Sequence, residues 1–163
     1  MTKILDVAQY IYDYYKEITG ENIDEMKLHK LLYFCQREKL ALLDEPMFKE
    51  SFEGWIHGPV SVSTRSYYDS DSGINHQTDK LDDFDAYIVR NIVLQYGGYA
   101  SWKLRDMSHK EVSWSKSRKG LLPGQRGSRT LDIEDIREDA QKVRPYDSLW
   151  DMYYDEFDDY EEE

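Results

Sequence analysis

A chain of 163 residues is the size of one domain, and such a chain buries roughly 70% of the surface its unfolded form exposes, enough for a core without disulfide or metal. A net charge of −12 argues against general affinity for nucleic acid, whose phosphates an acidic surface repels. Cys35 is the only cysteine, so no intrachain disulfide can form and a reducing, cytoplasmic setting is expected.

No stretch approaches the roughly 20 apolar residues that span a bilayer. Asp6 and Asp13 interrupt the N-terminal segment, which therefore does not read as a signal peptide. The charge is unevenly placed. Residues 146–163 carry nine acids and no Lys or Arg, whereas residues 1–145 hold 24 acids against 21 bases. A domain over 1–145 with an acidic, aromatic tail over 146–163 is the expected organisation.

Ile4, Val7, Ala8, Ile11, Tyr15 and Ile18 are spaced for one buried helical stripe, and Gly20 supplies a stop. A second helix is expected after Asp24, with Leu28, Leu31, Leu32, Cys35 and Leu42 inward and Pro46 closing the region. Cys35 on that stripe reads as core rather than as a reactive thiol. Ser51 to Ile56 reads as a short strand. Gly58–Pro59 breaks it, and Pro59 is expected to open a third helix reaching Tyr68. Asp69 to Lys80 is polar loop.

A fourth helix should turn Leu81, Phe84, Ile88, Ile92 and Tyr96 inward and end at Gly97–Gly98. Ser101 could cap a fifth helix through Met107, and Glu111 to Lys119 reads as a further short one. Gly120 to Arg129 is a loop; from Lys116 to Arg129 the chain has five bases and no acid. Thr130 to Ile133 is a candidate second strand, and Asp132 to Val143 a closing helix. The fold expected is mostly α (α+β): a compact helical bundle with a small two-strand β element formed by the two candidate strands.

The tail carries Tyr146, Leu149, Trp150, Tyr153, Tyr154 and Phe157 at the spacing of one helical face, with the acids mainly on the other. Such a face needs a surface to hold it. The basic loop around Arg118, Lys119, Arg126 and Arg129 is one candidate, and a partner protein is the other.

Catalytic constellations are sparse. His29, His57, His76 and His109 show no i,i+4 pairing that would hold a metal on one helix face. Gly124–Gln125–Arg126–Gly127 lacks the lysine and the strand-before-helix context of a phosphate loop. Asp106 and His109 lie one helical turn apart and could make an acid–base pair, a spacing more often structural. No catalytic residue, cofactor or metal is expected, and the chain reads as a binding protein rather than an enzyme.

Several stretches, in order, resemble the Panacea family of antitoxin domains. Leu28 to Gln36 is similar to the family's Lys-Leu-Leu-Tyr helix, here Lys30–Leu31–Leu32–Tyr33. Pro46–Met47–Phe48 follows, then Trp55–Ile56–His57–Gly58–Pro59–Val60, which resembles its Trp-x-x-Gly-Pro-Val signature. Tyr96–Gly97–Gly98, Leu104, Ser108–His109 and Trp114 match a further segment, and Ile133 to Ile136 resembles the closing helix. The resemblance runs over about residues 4–143. It departs at Gly54, where Ala is usual, at Ser113, where Pro often precedes the Trp, and at Arg65, where a Tyr is expected.

The resemblance implies an antitoxin that neutralises a cognate protein toxin by direct contact; a relative is an adaptor that delivers its toxin to a protease. Leu31, Leu32, Tyr33, Gly58, Pro59, Val60, His109 and Trp114 are then expected to hold the fold. Trp55, His57, Arg65, Tyr67 and Tyr68, with Trp150, Tyr153, Tyr154 and Phe157 of the tail, are the candidates for partner contact. Trp55 is also expected to anchor the Gly58–Pro59 corner structurally. The rival expectation is a phage or mobile-element inhibitor whose acidic surface imitates DNA to block a host nucleic-acid-binding protein. Direct binding of nucleic acid or membrane is not expected.

Overall fold

The computed structural model describes residues 1–144; the expected tail, with Trp150, Tyr153, Tyr154 and Phe157, lies outside the described residues. Seven helices and one two-stranded antiparallel sheet make up the described fold, which accords with the mostly α reading. In chain order they are α1 (Ile4–Thr19), α2 (Glu25–Leu43), β1 (Glu53–Trp55), β2 (Gly58–Val60), α3 (Val62–Arg65), α4 (Asp83–Tyr96), α5 (Ser101–His109), α6 (Val112–Ser117) and α7 (Ile133–Gln141). Among the described residues no helix is long and apolar enough to cross a membrane.

The helices start and stop for local reasons. Asp24, Ser61, Asp82 and Asp132 each accept a backbone N–H from the first turn of α2, α3, α4 and α7. Gly20, at φ +75°, ends α1 in the left-handed conformation. Ser101 is not a cap: Ala100 holds that position, and the Ser101 hydroxyl donates instead to Asp24 at 2.6 Å. α5 also runs past Met107 to His109.

α2 is the central post. It packs against α1, α4, α5, α7 and β2, and its Leu28, Leu31, Leu32, Tyr33, Phe34 and Cys35 are fully buried. Burial this complete encloses polar side chains too, and each finds partners. Lys27 donates to the Gly97 carbonyl at 2.9 Å. The Gln36 amide donates to the Phe48 carbonyl at 2.8 Å and accepts from Met47 N–H at 2.7 Å, which clamps the loop after α2. Arg37 pairs with Glu111 and donates to the Tyr96 hydroxyl at 3.1 Å.

Three stripe residues expected inside are exposed: Ile18, Leu42 and Phe84. Ile18 and Leu42 lie in the last turn of their helices and Phe84 in the first turn of its own, so the periodicity continues where the helix has run beyond its neighbours.

The sheet corrects two expectations. The partner of β1 is Gly58–Val60, not Thr130–Ile133, through a hairpin turning at Ile56–His57 with Glu53 opposite Val60 and Trp55 opposite Gly58. Thr130 makes a single bridge to Glu53, flanked by Gly54 N–H to Arg129 C=O and Leu131 N–H to Phe52 C=O. Pro59 therefore sits in a strand, and the helix it was expected to open is the four-residue α3, capped by Ser61 and ended before Tyr68. Pro59 is tolerated because it faces Gly54, whose N–H and C=O are both turned away, to Arg129 and the Arg118 guanidinium. That pair exchanges no bonds across the hairpin, so the missing proline N–H leaves nothing unmade.

Candidate functional site

A cleft of about 590 Å³ opens beside the hairpin, within the size range of ligand and peptide side-chain pockets. α2 supplies Glu25, Met26, His29 and Lys30. The hairpin supplies Trp55, Ile56, His57 and Val60, α3 supplies Arg65, and the loop before α7 closes it with Arg126, Gly127 and Ser128.

Two contacts hold the hairpin in place, Gly58 against α2 and the Trp55 carbonyl against Trp114 of α6. Gly58 takes φ +112°, and a Cβ there would lie 2.7 Å from Lys30 Cε and 2.4 Å from Ser108 Oγ, so only glycine fits. Trp114 donates from Nε1 to the Trp55 carbonyl at 2.8 Å, while its ring lies flat against His109, centroids 4.0 Å apart and planes 5° apart. Trp55 itself is half-buried, its ring on the cleft with Nε1 donating to Glu53 at 3.1 Å.

A polar chain runs along one wall. The Ser61 N–H donates to His29 Nδ1 at 3.2 Å, so the ring proton belongs on Nε2, which faces Glu25 at 3.2 Å. Burial holds the His29 pKa below its usual value, against the opposing pull of Glu25. The hydrogen bond from His29, with Arg65 close by, lowers that of Glu25. The Arg65 guanidinium contacts Glu25 at 3.2 Å and lies 5.0 Å from the Trp55 ring centroid, a cation–π arrangement. At the floor, Lys30 donates to the Pro59 carbonyl at 3.2 Å. Burial, opposed only by Asp24, brings its pKa down to about 7.

Of the residues expected to contact a partner, Trp55, His57 and Arg65 meet at this cleft. Tyr67 and Tyr68 do not. Tyr67 is exposed and packs its ring on His76, and Tyr68 turns back to donate to the Ile23 carbonyl at 2.9 Å. Leu31, Leu32 and Tyr33 are in the core, and Gly58, Pro59 and Val60 form β2. Asp106 and His109 make no acid–base pair; Asp106 contacts Arg105 at 3.2 Å, and His109 stacks on Trp114. Among the described residues no three His, Cys, Asp or Glu side chains gather as a metal would require.

The departures from the Panacea pattern have local causes. At Gly54 a Cβ would fall 1.9 Å from Ser117 Oγ. Ser113 donates its N–H to Asp139 at 2.9 Å and its hydroxyl meets that of Tyr33 at 2.9 Å, neither of which a proline could do. Arg65 takes its place between Glu25 and Trp55. Sequence reasoning missed His29 and Lys30 as site residues. Nothing in the sequence marked them, because basic side chains on a helix ordinarily read as its solvated face.

No curated protein and no solved structure matches the chain. The family model described as antitoxin SocA-like, Panacea domain, matches residues 28–115, from α2 through the hairpin to α6, a narrower span than the resemblance traced over 4–143. That match takes in more than half of the 163 residues and most of the cleft wall, and the chain belongs to the SocA-like Panacea family of antitoxin domains.

Proposed function

We propose that this chain neutralises a protein toxin by direct, stoichiometric contact, and that the cleft mouth at Trp55, His57 and Arg65 belongs to the contact surface. The observation that carries the reading is that the segment matching the antitoxin family, residues 28–115, supplies His29 and Lys30 of the α2 wall and the whole of the hairpin and α3 walls of the cleft. A partly buried tryptophan with an arginine stacked on it combines two of the residue types enriched at the energetic centres of interfaces. In this reading the chain works by occupancy and performs no chemistry of its own.

The test is pulldown of the full chain with mass-spectrometric identification of the partner, then co-expression. Rescue of growth with co-elution of the two proteins at matched stoichiometry is the expected result. Rescue without any complex, at far below one copy per toxin and with a stable toxin, would reject it. Masking and delivery to a protease separate on the toxin's half-life, which shortens only under delivery. Capture of a basic nucleic-acid-binding protein, released by salt, would favour the DNA-mimic reading instead.

A further inference from the structure

Lys30 is a charge the described domain leaves without a counter-ion. It is 1% exposed at the cleft floor. Its ammonium has three N–H donors, yet its one hydrogen bond among the described residues goes to the Pro59 carbonyl, and no carboxylate there forms an ion pair with it.

The groups around it do not supply that charge. Glu25, the carboxylate in the cleft wall, is already held by His29 and Arg65 at 3.2 Å each. Asp24 favours the charge from the start of α2 without bonding to it. The other titratable groups turned toward this region are cationic or neutral: His29 on α2, His57 on the hairpin, Arg65 on α3, His109 on α5 and Arg126 on the loop. Burial accordingly brings the amine down to about 7, so that near neutral pH the proton is only partly held. A buried cation without a hydrogen-bonded anion is costly, and an incoming anion that accepts its free N–H groups removes the penalty.

We propose that the cleft is a carboxylate-binding site, in which an Asp or Glu side chain of an acidic peptide segment enters past Arg65 and Arg126 and pairs with the Lys30 amine. The proposal rests on the reading of the cleft as a contact surface and says what enters it. One unpaired cation calls for one negative charge, and the apolar walls of Met26, Ile56 and Val60 suit the stem of a side chain better than a hydrated dianion. The acidic segment has two sources, a bound partner protein or the nine acids of residues 146–163 of this chain.

The test follows the Lys30 side chain by NMR in full-length protein labelled at the lysine ε-carbon, with Lys30→Met to assign the signal. Its titration midpoint is measured in three samples: the native chain; a full-length chain with the nine acids of 146–163 changed to Asn or Gln; and that chain with hexaglutamate. The neutralised chain alone should titrate lowest, and an opposing charge in contact should raise the midpoint by about one pH unit or more. A raised midpoint in the native chain assigns the site to the chain's own acids; one raised only by hexaglutamate assigns it to an external segment. The same midpoint in all three samples, or an equal rise with hexaglutamine, overturns the proposal. Toxin neutralisation lost in Trp55→Ala or Arg65→Ala with Lys30 silent throughout would sink this proposal alone. A responsive Lys30 with neutralisation intact in both variants would sink the contact-surface reading alone.

Discussion

The Tyr33 hydroxyl donates to the Asp139 carboxylate at 3.1 Å and joins the central helix to the last one. Asp139 also accepts the N–H groups of Val112 at 2.8 Å and Ser113 at 2.9 Å, and so caps α6 from α7, where the α6 cap residue Glu111 makes no side-chain cap bond of its own. Glu111 instead pairs with Arg37 and offers the Tyr33 hydroxyl a second acceptor at 3.2 Å. α2, α6 and α7 are thus tied by one buried polar network, which in turn positions Trp114 under the hairpin.

Asp139→Ala is expected to cost more than Tyr33→Phe. The first leaves two helix N-terminal donors without their acceptor, about 2–4 kcal/mol in total, while the Tyr33 hydroxyl keeps Glu111 in reach; the second removes one hydroxyl from a shared site, about 1 kcal/mol. In a domain of this size the difference is roughly 3–10 °C in Tm. Thermal melts of the two variants check it, and equal Tm values would show that the network is not what holds α6.

Glycine substitutions separate close packing from open turns. Gly58→Ala should destabilise by about 2 kcal/mol or more, because it combines a disfavoured φ with a clash against Lys30 and Ser108. Gly98→Ala, with nothing within 4 Å of its added Cβ and no positive φ, should melt within a degree or two of the native protein. Thermal melts and urea unfolding of both variants are the measurement.

Trp55→Ala probes the site rather than the fold. A fully buried tryptophan would cost on the order of 3–5 kcal/mol on truncation, but Trp55 is only partly buried and lines the cleft, and what it gives the fold is its backbone carbonyl, which accepts from Trp114. The expected variant is folded, melts within a few degrees of native, and binds the partner at least about tenfold more weakly. Trp114→Ala is expected to lose stability instead, since its ring packs against the core and His109. Calorimetric binding beside a melt decides it; a Trp55→Ala protein that unfolds would return that residue to a structural role.

The longer helices were legible in the sequence from their apolar spacing and from local punctuation, such as Asp24 before α2 and Gly20 after α1. The hairpin was only half legible. Glu53–Trp55 reads as a strand, but Gly58–Pro59 reads as a helix entry, and nothing local reveals that Gly54 turns its bonding groups toward Arg129 and Arg118 and so admits proline opposite. The site was legible where a residue type is unusual for its place, as with Trp55 and Arg65. It was illegible at Lys30, where a basic residue on a helix normally means a solvated face, and only the packing of five other elements around α2 makes it otherwise.

That buried lysine makes stability depend on pH, with a definite sign. Its pKa is about 7 in the folded chain and near 10.4 in an unfolded one. Between those values the unfolded state binds the extra proton, so stability rises with pH across the window. Below about pH 7 both states are charged and the full burial penalty is present; it is relieved as the folded amine loses its proton. The expected slope is up to about 1.4 kcal/mol per pH unit. Lys30→Met fills the same channel with an uncharged, flexible stem. It should be more stable than the native protein at pH 6, should lose that advantage progressively toward pH 9, and should show a flatter profile throughout. The measurement is urea unfolding of both proteins from pH 6 to 9, read as the difference between them so that other titrating groups cancel. Saturating hexaglutamate on the tail-neutralised chain should flatten the native-type slope as well, because a paired Lys30 keeps its proton. In the tail-neutralised chain, a difference from its Lys30→Met variant that does not change with pH would show that Lys30 is charged and satisfied within the domain itself, and would remove the physical basis for an anion in the cleft.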